Sequence, residues 1–377
     1  MFFNKKISYL VAFFSFFSLP IFGQQTNSAP KQPDVLIFTN GDKLTGQFER
    51  STGNSVMFKS DMTGEFTVDW SKVTELHSSS SFAVIPKGVK LGHRRNVANV
   101  PQGDISVADQ KIEIKPQGAP AQIVPTGNAA YVVDESTFHN AIERSPGFLH
   151  AWTGAIAAGV DLVEATQKSN TFSGSVGLVR VTPTVSWLDP RDRTSIDFNF
   201  AYGKLTQPGS PQIKTDIYHA GAERDEYFSP RLFGFGQAAF DHNFSQGLDL
   251  QQTYGGGVGL TAIKNANEEL DLKASMDYIR QQFIVSALNQ NLIGSNFAEI
   301  YRRQLPRKIL FTEGLTVTPA WNNLDAYSAI ANAGVALPVY KRFSLSMNAI
   351  DNFLNNPPPG FKKNSFQFTT GLSYTLP

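Results

Sequence analysis

The segment Phe366-Gln367-Phe368-Thr369-Thr370-Gly371-Leu372-Ser373-Tyr374-Thr375-Leu376 decides how the rest of this chain is read. Phe366, Phe368, Leu372, Tyr374 and Leu376 share one parity, with Thr370 among them; Gln367, Thr369, Gly371, Ser373 and Thr375 hold the other. Side chains alternate across a strand with a period of two, so the spacing predicts a strand with one greasy face and one wet face. The pattern recurs upstream. Trp152, Gly154, Ile156, Ala158, Val160 and Leu162 share a parity. Ile196, Phe198, Phe200 and Tyr202 oppose Asp197 and Asn199. Leu270, Leu272, Ala274, Met276 and Tyr278 oppose Asp271, Lys273, Ser275 and Asp277, and Phe343, Leu345, Met347 and Ala349 oppose Ser344, Ser346 and Asn348. Glu223-Arg224-Asp225-Glu226, charged on both faces, and Glu313, in parity with Phe311 and Leu315, break the rule and are expected to lie beyond hydrocarbon or to face a neighbour.

Strands of roughly ten residues suit a membrane span better than the shorter strands of soluble sheets. The connections also sort by length. Leu188 to Arg193, Ser229-Pro230-Arg231, Asn265 to Glu268, Pro306-Arg307 and Lys341-Arg342 are tight; Gln207 to Gln212, Ala287 to Asn296 and Asn355 to Asn364 are longer or more irregular. Short turns at one end, longer loops at the other and an even strand count mark outer-membrane barrels. Closure also satisfies every backbone group internally. The expected fold is therefore all-β, with an antiparallel transmembrane β-barrel of about twelve strands over residues 147–377. A secreted or periplasmic β-sandwich binding module alternates as well and is the alternative.

If the greasy faces meet lipid, Asp197, Asn199, Asp271, Lys273, Asp277, Ser344, Ser346, Gln367 and Thr369 point inward and are the candidate lumen-lining residues. A barrel of this size permits a small channel without requiring one.

Residues 1–23 read as a secretory signal peptide: Lys5 and Lys6, a short apolar core from Ile7 to Phe17, Pro20, and Gly23 before the expected cut. Residues 24–33 form a flexible leader. Over 34–81, the Asn40-Gly41-Asp42 and Gly53-Asn54 turn signals separate five short strands, suggesting a small SH3-like or Sm-like β module. Residues 82–146 are either a second, weaker β module or a Pro/Gly-rich linker. Phe82 to Leu91 parallels Val35 to Leu44, and Val133-Asp134-Glu135-Ser136 parallels Val68-Asp69-Trp70-Ser71, whereas Pro101, Pro116, Pro120 and Pro125 favour the linker.

With no Cys, disulfides, thiolate chemistry and a lipid-anchored cysteine are excluded; 33 basic against 32 acidic residues indicates no generic affinity for nucleic acid. The 30 Gly and 30 Phe fit a barrel. The six histidines show no metal-ligand spacing, and no Gly-x-Ser-x-Gly elbow accompanies Asp241-His242, the one pair that imitates part of a lipase triad. Gly255-Gly256-Gly257 lies inside an alternating strand with no helix or Lys behind it, and reads as a crowded lumen wall or a strand bend. No enzyme activity, cofactor or metal is expected. The expected function is a small pore or envelope-structural protein, with a lipid hydrolase as a minor alternative. The expected partners are outer-membrane lipid, the barrel insertion machinery and periplasmic envelope components, the last in contact with the N-terminal module.

From His150 to Pro377 the chain resembles a bacterial family that carries a domain of unknown function and is typified by proteins described as salt-induced and outer-membrane. The likeness rests on Trp152-Thr153-Gly154, Asn170-Thr171, Arg224-Asp225-Glu226-Tyr227 with Ser229 to Phe233, Asp241 with Gly247-Leu248-Asp249, and Gly255-Gly256-Gly257. Gly360 to Lys363 and Gly371-Leu372-Ser373-Tyr374 continue it. The chain departs from the family at Ser169, where Gly is usual before Asn-Thr, and at Leu376-Pro377, where outer-membrane barrels usually finish on an aromatic. The resemblance implies an outer-membrane barrel, a salt or stress connection and no established activity.

Overall fold

The computed structural model describes residues 32–60, 62–89, 100–143, 147, 149–164, 168–206 and 213–376, with the side chains of 161–169, 206 and 213 left aside. The expected signal peptide, most of the leader and the loop Gln207 to Gln212 lie outside these residues. Two compact units are present, one built from the strands up to Val132 and one containing the barrel.

The first unit is organised by β1 (Asp34–Phe38), β2 (Lys43–Thr52), β3 (Ser55–Ser60), β4 (Gly64–Asp69) and the long β5 (Val73–Pro86). It continues through β6 (Gln102–Ala108), β7 (Lys111–Lys115), β8 (Gln122–Pro125) and β9 (Ala129–Asp134). All nine strands form one sheet, in the order β4-β3-β2-β1-β5-β6-β7-β8, with β9 pairing β2 and β5. A pairing scheme occurs twice: four strands, a 3-10 turn (Trp70–Lys72, then Thr126–Asn128), and a fifth strand that returns to the first, with β5 shared between the two. The counterpart of Trp70-Ser71-Lys72 is thus Thr126-Gly127-Asn128, not the Val133 to Ser136 stretch that sequence similarity suggested. That similarity has a local cause: Asp69 and Asp134 each cap the turn that follows by accepting the backbone N–H two residues on.

One core serves both halves. Leu36, Phe48, Val56 and Phe58 pack with Phe82, Ile105, Ile112 and Val132, and the Phe48 and Phe82 rings lie 4.9 Å apart. The stretch expected as a second module or a linker is therefore the other half of one core. Gln110 ties the halves by donating from Nε2 to the carbonyls of Trp70 (2.9 Å) and Val73 (3.0 Å). After β9 the chain turns helical over Glu135–Thr137 and Phe138–Glu143, an element that strand periodicity did not announce.

The second unit contains a closed barrel of twelve antiparallel strands. They are β10 (Thr153–Glu164), β11 (Lys168–Thr182), β12 (Asp192–Thr206), β13 (Ile213–Tyr227), β14 (Leu232–Asn243) and β15 (Leu248–Lys264). The circuit is completed by β16 (Glu268–Phe283), β17 (Gln290–Leu305), β18 (Ile309–Thr318), β19 (Ser328–Tyr340), β20 (Phe343–Leu354) and β21 (Asn364–Thr375). The register of β11 with β12 runs unbroken from Lys168↔Thr206 to Thr182↔Asp192. The closing seam is far shorter, spanning only Ala155↔Thr375 to Ala158↔Leu372.

The outer face is apolar. Phe366 (68 % exposed), Phe368, Leu372, Val160, Met276 and Phe297 all stand out from the wall. Such a continuous greasy girdle cannot remain in water, and it is the surface that a transmembrane barrel presents to hydrocarbon. Two sequence irregularities find places here. Arg224 and Glu226 face outward near the end of β13, where Arg224 pairs with both Glu226 and Asp192, while Glu223 and Asp225 face inward. Glu313 is exposed on the outer face of β18, beside Leu315 and across from Tyr301 and Ala333. The connection between β11 and β12 covers 183–191, longer than the Leu188 to Arg193 turn expected, and residues 290–296 belong to β17 rather than to a loop.

Candidate functional site: the barrel lumen

Alternation that sends greasy residues outward sends their sequence neighbours into the interior, and the two sides of that interior differ. On the side of β12 to β17 it is filled. Arg193 reaches from β12 to Asp225 of β13 (2.6 Å) and, with three strands between, to Asp271 of β16 (2.7 Å). Its third nitrogen meets Glu269 at 3.2 Å. The Phe233 ring lies under the guanidinium, 5.3 Å from centroid to Cζ. Lys273 pairs with Glu223 and lies over the ring of Phe235. Asp271 also accepts from Thr261 Oγ1 at 2.7 Å. Further along the barrel, Asp277 accepts from Ser275 Oγ (2.8 Å) and Gln237 Nε2 (3.2 Å). Asp225, Asp271 and Lys273 thus have opposite charges beside them, and Asp277 is held by neutral donors, as the low dielectric of such a site demands.

The triglycine run makes room for this packing. A Cβ on Gly255 would sit 1.7 Å from Asp277 Oδ1, and one on Gly259 would sit 2.2 Å from the Phe233 ring.

Against β10 to β15 and β18 to β21 a cavity of about 490 Å³ remains. Its wall mixes apolar residues such as Phe200, Ile330 and Leu354 with hydroxyls and carboxamides, among them Asn199, Thr312, Asn332, Asn348, Gln367 and Thr369. Three of its titratable groups, Asp197, His219 and Asp241, form one cluster. His219 lies between two carboxylates, Nε2 2.8 Å from Asp197 Oδ2 and Nδ1 2.6 Å from Asp241 Oδ1. The register places His219 directly across from Asp241 and next to the strand that carries Asp197.

The residues selected from the sequence divide accordingly. Asp197, Asn199, Ser346, Gln367 and Thr369 border the cavity. Asp271, Lys273 and Asp277 belong to the filled side, and Ser344 is buried near the seam end of β20, its carbonyl accepting from Ser373 Oγ at 3.2 Å. Sequence reading missed Arg193, His219, Glu223 and Asp225. The inward parity of Ile217, His219, Glu223 and Asp225 along β13 was the available signal. Asp241 and His242 do not form a pair: as strand neighbours they diverge, and His242 Nδ1 donates instead to the Asp249 carbonyl at 2.6 Å.

Over the loop-bearing mouth, 244–247 and 355–363 meet. These connections leave opposite sides of the circuit, one between β14 and β15 and the other between β20 and β21. Gln246 Nε2 donates to the carbonyls of Asn352 (2.9 Å) and Lys363 (2.7 Å), and Lys362 N–H donates to the Ser245 carbonyl at 3.2 Å. The Phe244 and Phe361 rings meet edge to face, and Leu248, Phe283 and Leu354 pack as a buried cluster beneath. These contacts form a strap across the opening.

Residues 156–376 match the family described as "Protein of unknown function, DUF481". The chain belongs to that family. No curated protein matches the sequence. Among solved structures, the DUF481 barrel is similar to the translocator domain of the autotransporter NalP from Neisseria meningitidis, at 12% identity and a TM-score of 0.34, covering 59% of this chain and 86% of that one. It is also similar to the NanC porin, at 6% identity and a TM-score of 0.37, covering 59% of this chain and 100% of that one. An outer-membrane channel from Pseudomonas putida F1 shows 12% identity and a TM-score of 0.36, covering 62% of this chain and all (100%) of the other. At such TM-scores the likenesses say nothing of mechanism.

Proposed function

We propose that the chain is an outer-membrane β-barrel whose half-filled lumen forms a narrow path for small uncharged hydrophilic solutes, strapped at its outer mouth. The observation that carries this reading is the cavity, into which hydroxyls and carboxamides project between apolar residues, inside a barrel whose outer face is apolar. Neutral hydrogen-bonding side chains replace the hydration of an uncharged polar solute without trapping an ion. The short-turn end, which includes Pro306–Lys308 and 341–342, faces the periplasm, and so do both ends of the barrel segment, since the strand count is even.

Planar-bilayer recording tests the path. The unaltered chain is expected to give small unitary currents, and Gln246→Ala, which cuts the strap, larger ones. The strap and the Arg193 network also favour a second reading, a closed barrel that stabilises the envelope; absence of current from both proteins selects it. Spin labels at 366, 368 and 372 should meet oxygen in the bilayer while labels at 367 and 369 meet water-soluble relaxants, and equal access to water at all five removes the membrane reading itself. Any salt or stress role rests on the family resemblance alone, and growth of a deletion strain across salt concentrations is its direct assay; contact of the N-terminal unit with envelope components follows only from the side of the membrane on which an even strand count leaves it, and a pull-down is its assay.

A further inference from the structure

The periplasmic end of the barrel is electrically lopsided. On the side of β17 to β20 its rim carries Arg302, Arg303, Arg307, Lys308, Lys341 and Arg342. The acidic groups that face this corner are Glu268 and Glu269. Glu268 holds Arg303 (3.5 Å) and accepts from Tyr301 (2.6 Å); Glu269 holds Arg302 (3.6 Å) and Arg193. Among the described residues no carboxylate lies within ion-pair distance of Arg307, Lys308, Lys341 or Arg342, and all four are exposed. Lys341 lies 5.1 Å from the Tyr340 ring, with its ammonium over the aromatic face.

The backbone adds a second observation. Arg307 and Lys308 are consecutive residues with positive φ (63° and 61°), and Lys341 in the neighbouring turn has φ of 48°. Tight turns of this hand are satisfied without strain by Asn-Gly. Here basic residues occupy those positions instead, against the local conformational preference, which points to their side chains. Immediately outward on the same corner stand Val339, Tyr340 and Phe343, each exposed on the lipid-facing wall. A cleft between the turns joins Arg303, Leu305, Pro306 and Lys308 to Asn265 and Asn267.

We infer that this corner binds the phosphate-bearing head groups of anionic phospholipid in the inner leaflet. The apolar side chains meet the acyl chains while the unpaired cations, placed just beyond them, meet the phosphates at head-group depth. The inference presupposes the membrane-spanning barrel proposed for this chain. Free phosphate offers the same oxygens but no acyl chain for Val339 and Phe343.

The full chain reconstituted in phosphatidylcholine vesicles, probed with spin-labelled lipids, tests it. The fraction of label held motionally restricted at the barrel reports relative affinity. Spin-labelled phosphatidylglycerol is expected to be preferred over spin-labelled phosphatidylcholine by about fivefold at low salt, the factor that one basic side chain near anionic lipid supplies. In R307N/K308G, which installs the unstrained turn and so protects folding, the preference should fall towards one, and further with K341Q and R342Q. Excess inorganic phosphate should leave it unchanged; displacement by phosphate overturns the lipid assignment. Equal restriction of both lipids by the unaltered chain overturns the inference while leaving the barrel in its membrane. If no lipid of either kind is restricted, the membrane reading fails as well.

Discussion

Arg193→Ala is the perturbation that bears most directly on how the lumen is held. Arg193 is about nine-tenths buried and holds Asp225 and Asp271 at 2.6 and 2.7 Å. Truncation leaves both carboxylates, themselves 1% and 3% exposed, without their cation. Removing one partner of a buried ion pair costs about 3–5 kcal/mol, because the remaining charge keeps its desolvation penalty and loses its attraction. Asp225 is the more vulnerable of the two. Its Oδ1 already has no partner, whereas Asp271 retains Thr261. Lysine at 193 should lose an intermediate amount, since a point charge cannot fork to two acids. Arg193→Met combined with Asp225→Asn and Asp271→Asn should recover more than half of the loss, because no buried charge is then stranded. Urea unfolding in zwitterionic vesicles, followed by tryptophan fluorescence and by gel mobility with and without boiling, measures each value. A loss below about 1 kcal/mol for Arg193→Ala, the range of solvent-exposed pairs, would refute the reasoning by showing that water already screens the network.

Gly255→Ala should lower the yield of heat-modifiable barrel sharply, since its Cβ would meet Asp277 Oδ1 at 1.7 Å and Ser275 and Gln237 anchor that carboxylate; the folded fraction on a gel checks it. Ser51→Ala should destabilise the N-terminal unit by about 1–3 kcal/mol, because Trp70 Nε1 donates to Ser51 Oγ at 2.8 Å in the core and would lose its acceptor; denaturant midpoints read by fluorescence are the measure. The hydroxyl and backbone N–H of Ser71 hold the Asp69 carboxyl below its ordinary value of 3.8. A depressed folded value means that this contribution is complete above the unfolded value and disappears as pH falls through the folded one. In Ser71→Ala, NMR titration of that carboxyl should move up towards 3.8.

Strand periodicity carried the barrel because burial there is set by one rule at every other residue. That rule placed Asp271, Lys273 and Asp277 inside from sequence alone. It also separated tight turns from loops, except where 183–191 connects β11 and β12 without hairpin chemistry and where 290–296 extend β17. What it did not carry was pairing across the interior. Arg193 and Asp271 are separated by 78 positions, and nothing local announces that a side chain from β12 will reach β16. His219 looked isolated for the same reason: its two acids sit on flanking strands and become neighbours only through register. In the N-terminal unit, similarity between Val68 to Ser71 and Val133 to Ser136 reflected a shared capping habit, which propensity repeats wherever a turn begins. The helical stretch 135–143 was obscured because a segment this short carries too few turns to display a period.

The seam between β10 and β21 has a bearing on assembly. Eleven of the joints around the circuit are zipped along most of their length, but the last is fastened only near the short-turn end, from Ala155 to Ala158. Backbone amides above Leu372 on β21 therefore lack a companion on β10, and those of Ala155 to Ala158 should exchange with deuterium before their counterparts on β11 and β12. A cylinder fastened in this way finishes by bringing its two terminal strands together, and that closure is where it is most easily parted again. The molecule thus carries a built-in place at which to widen sideways without disturbing the charged packing on its far wall.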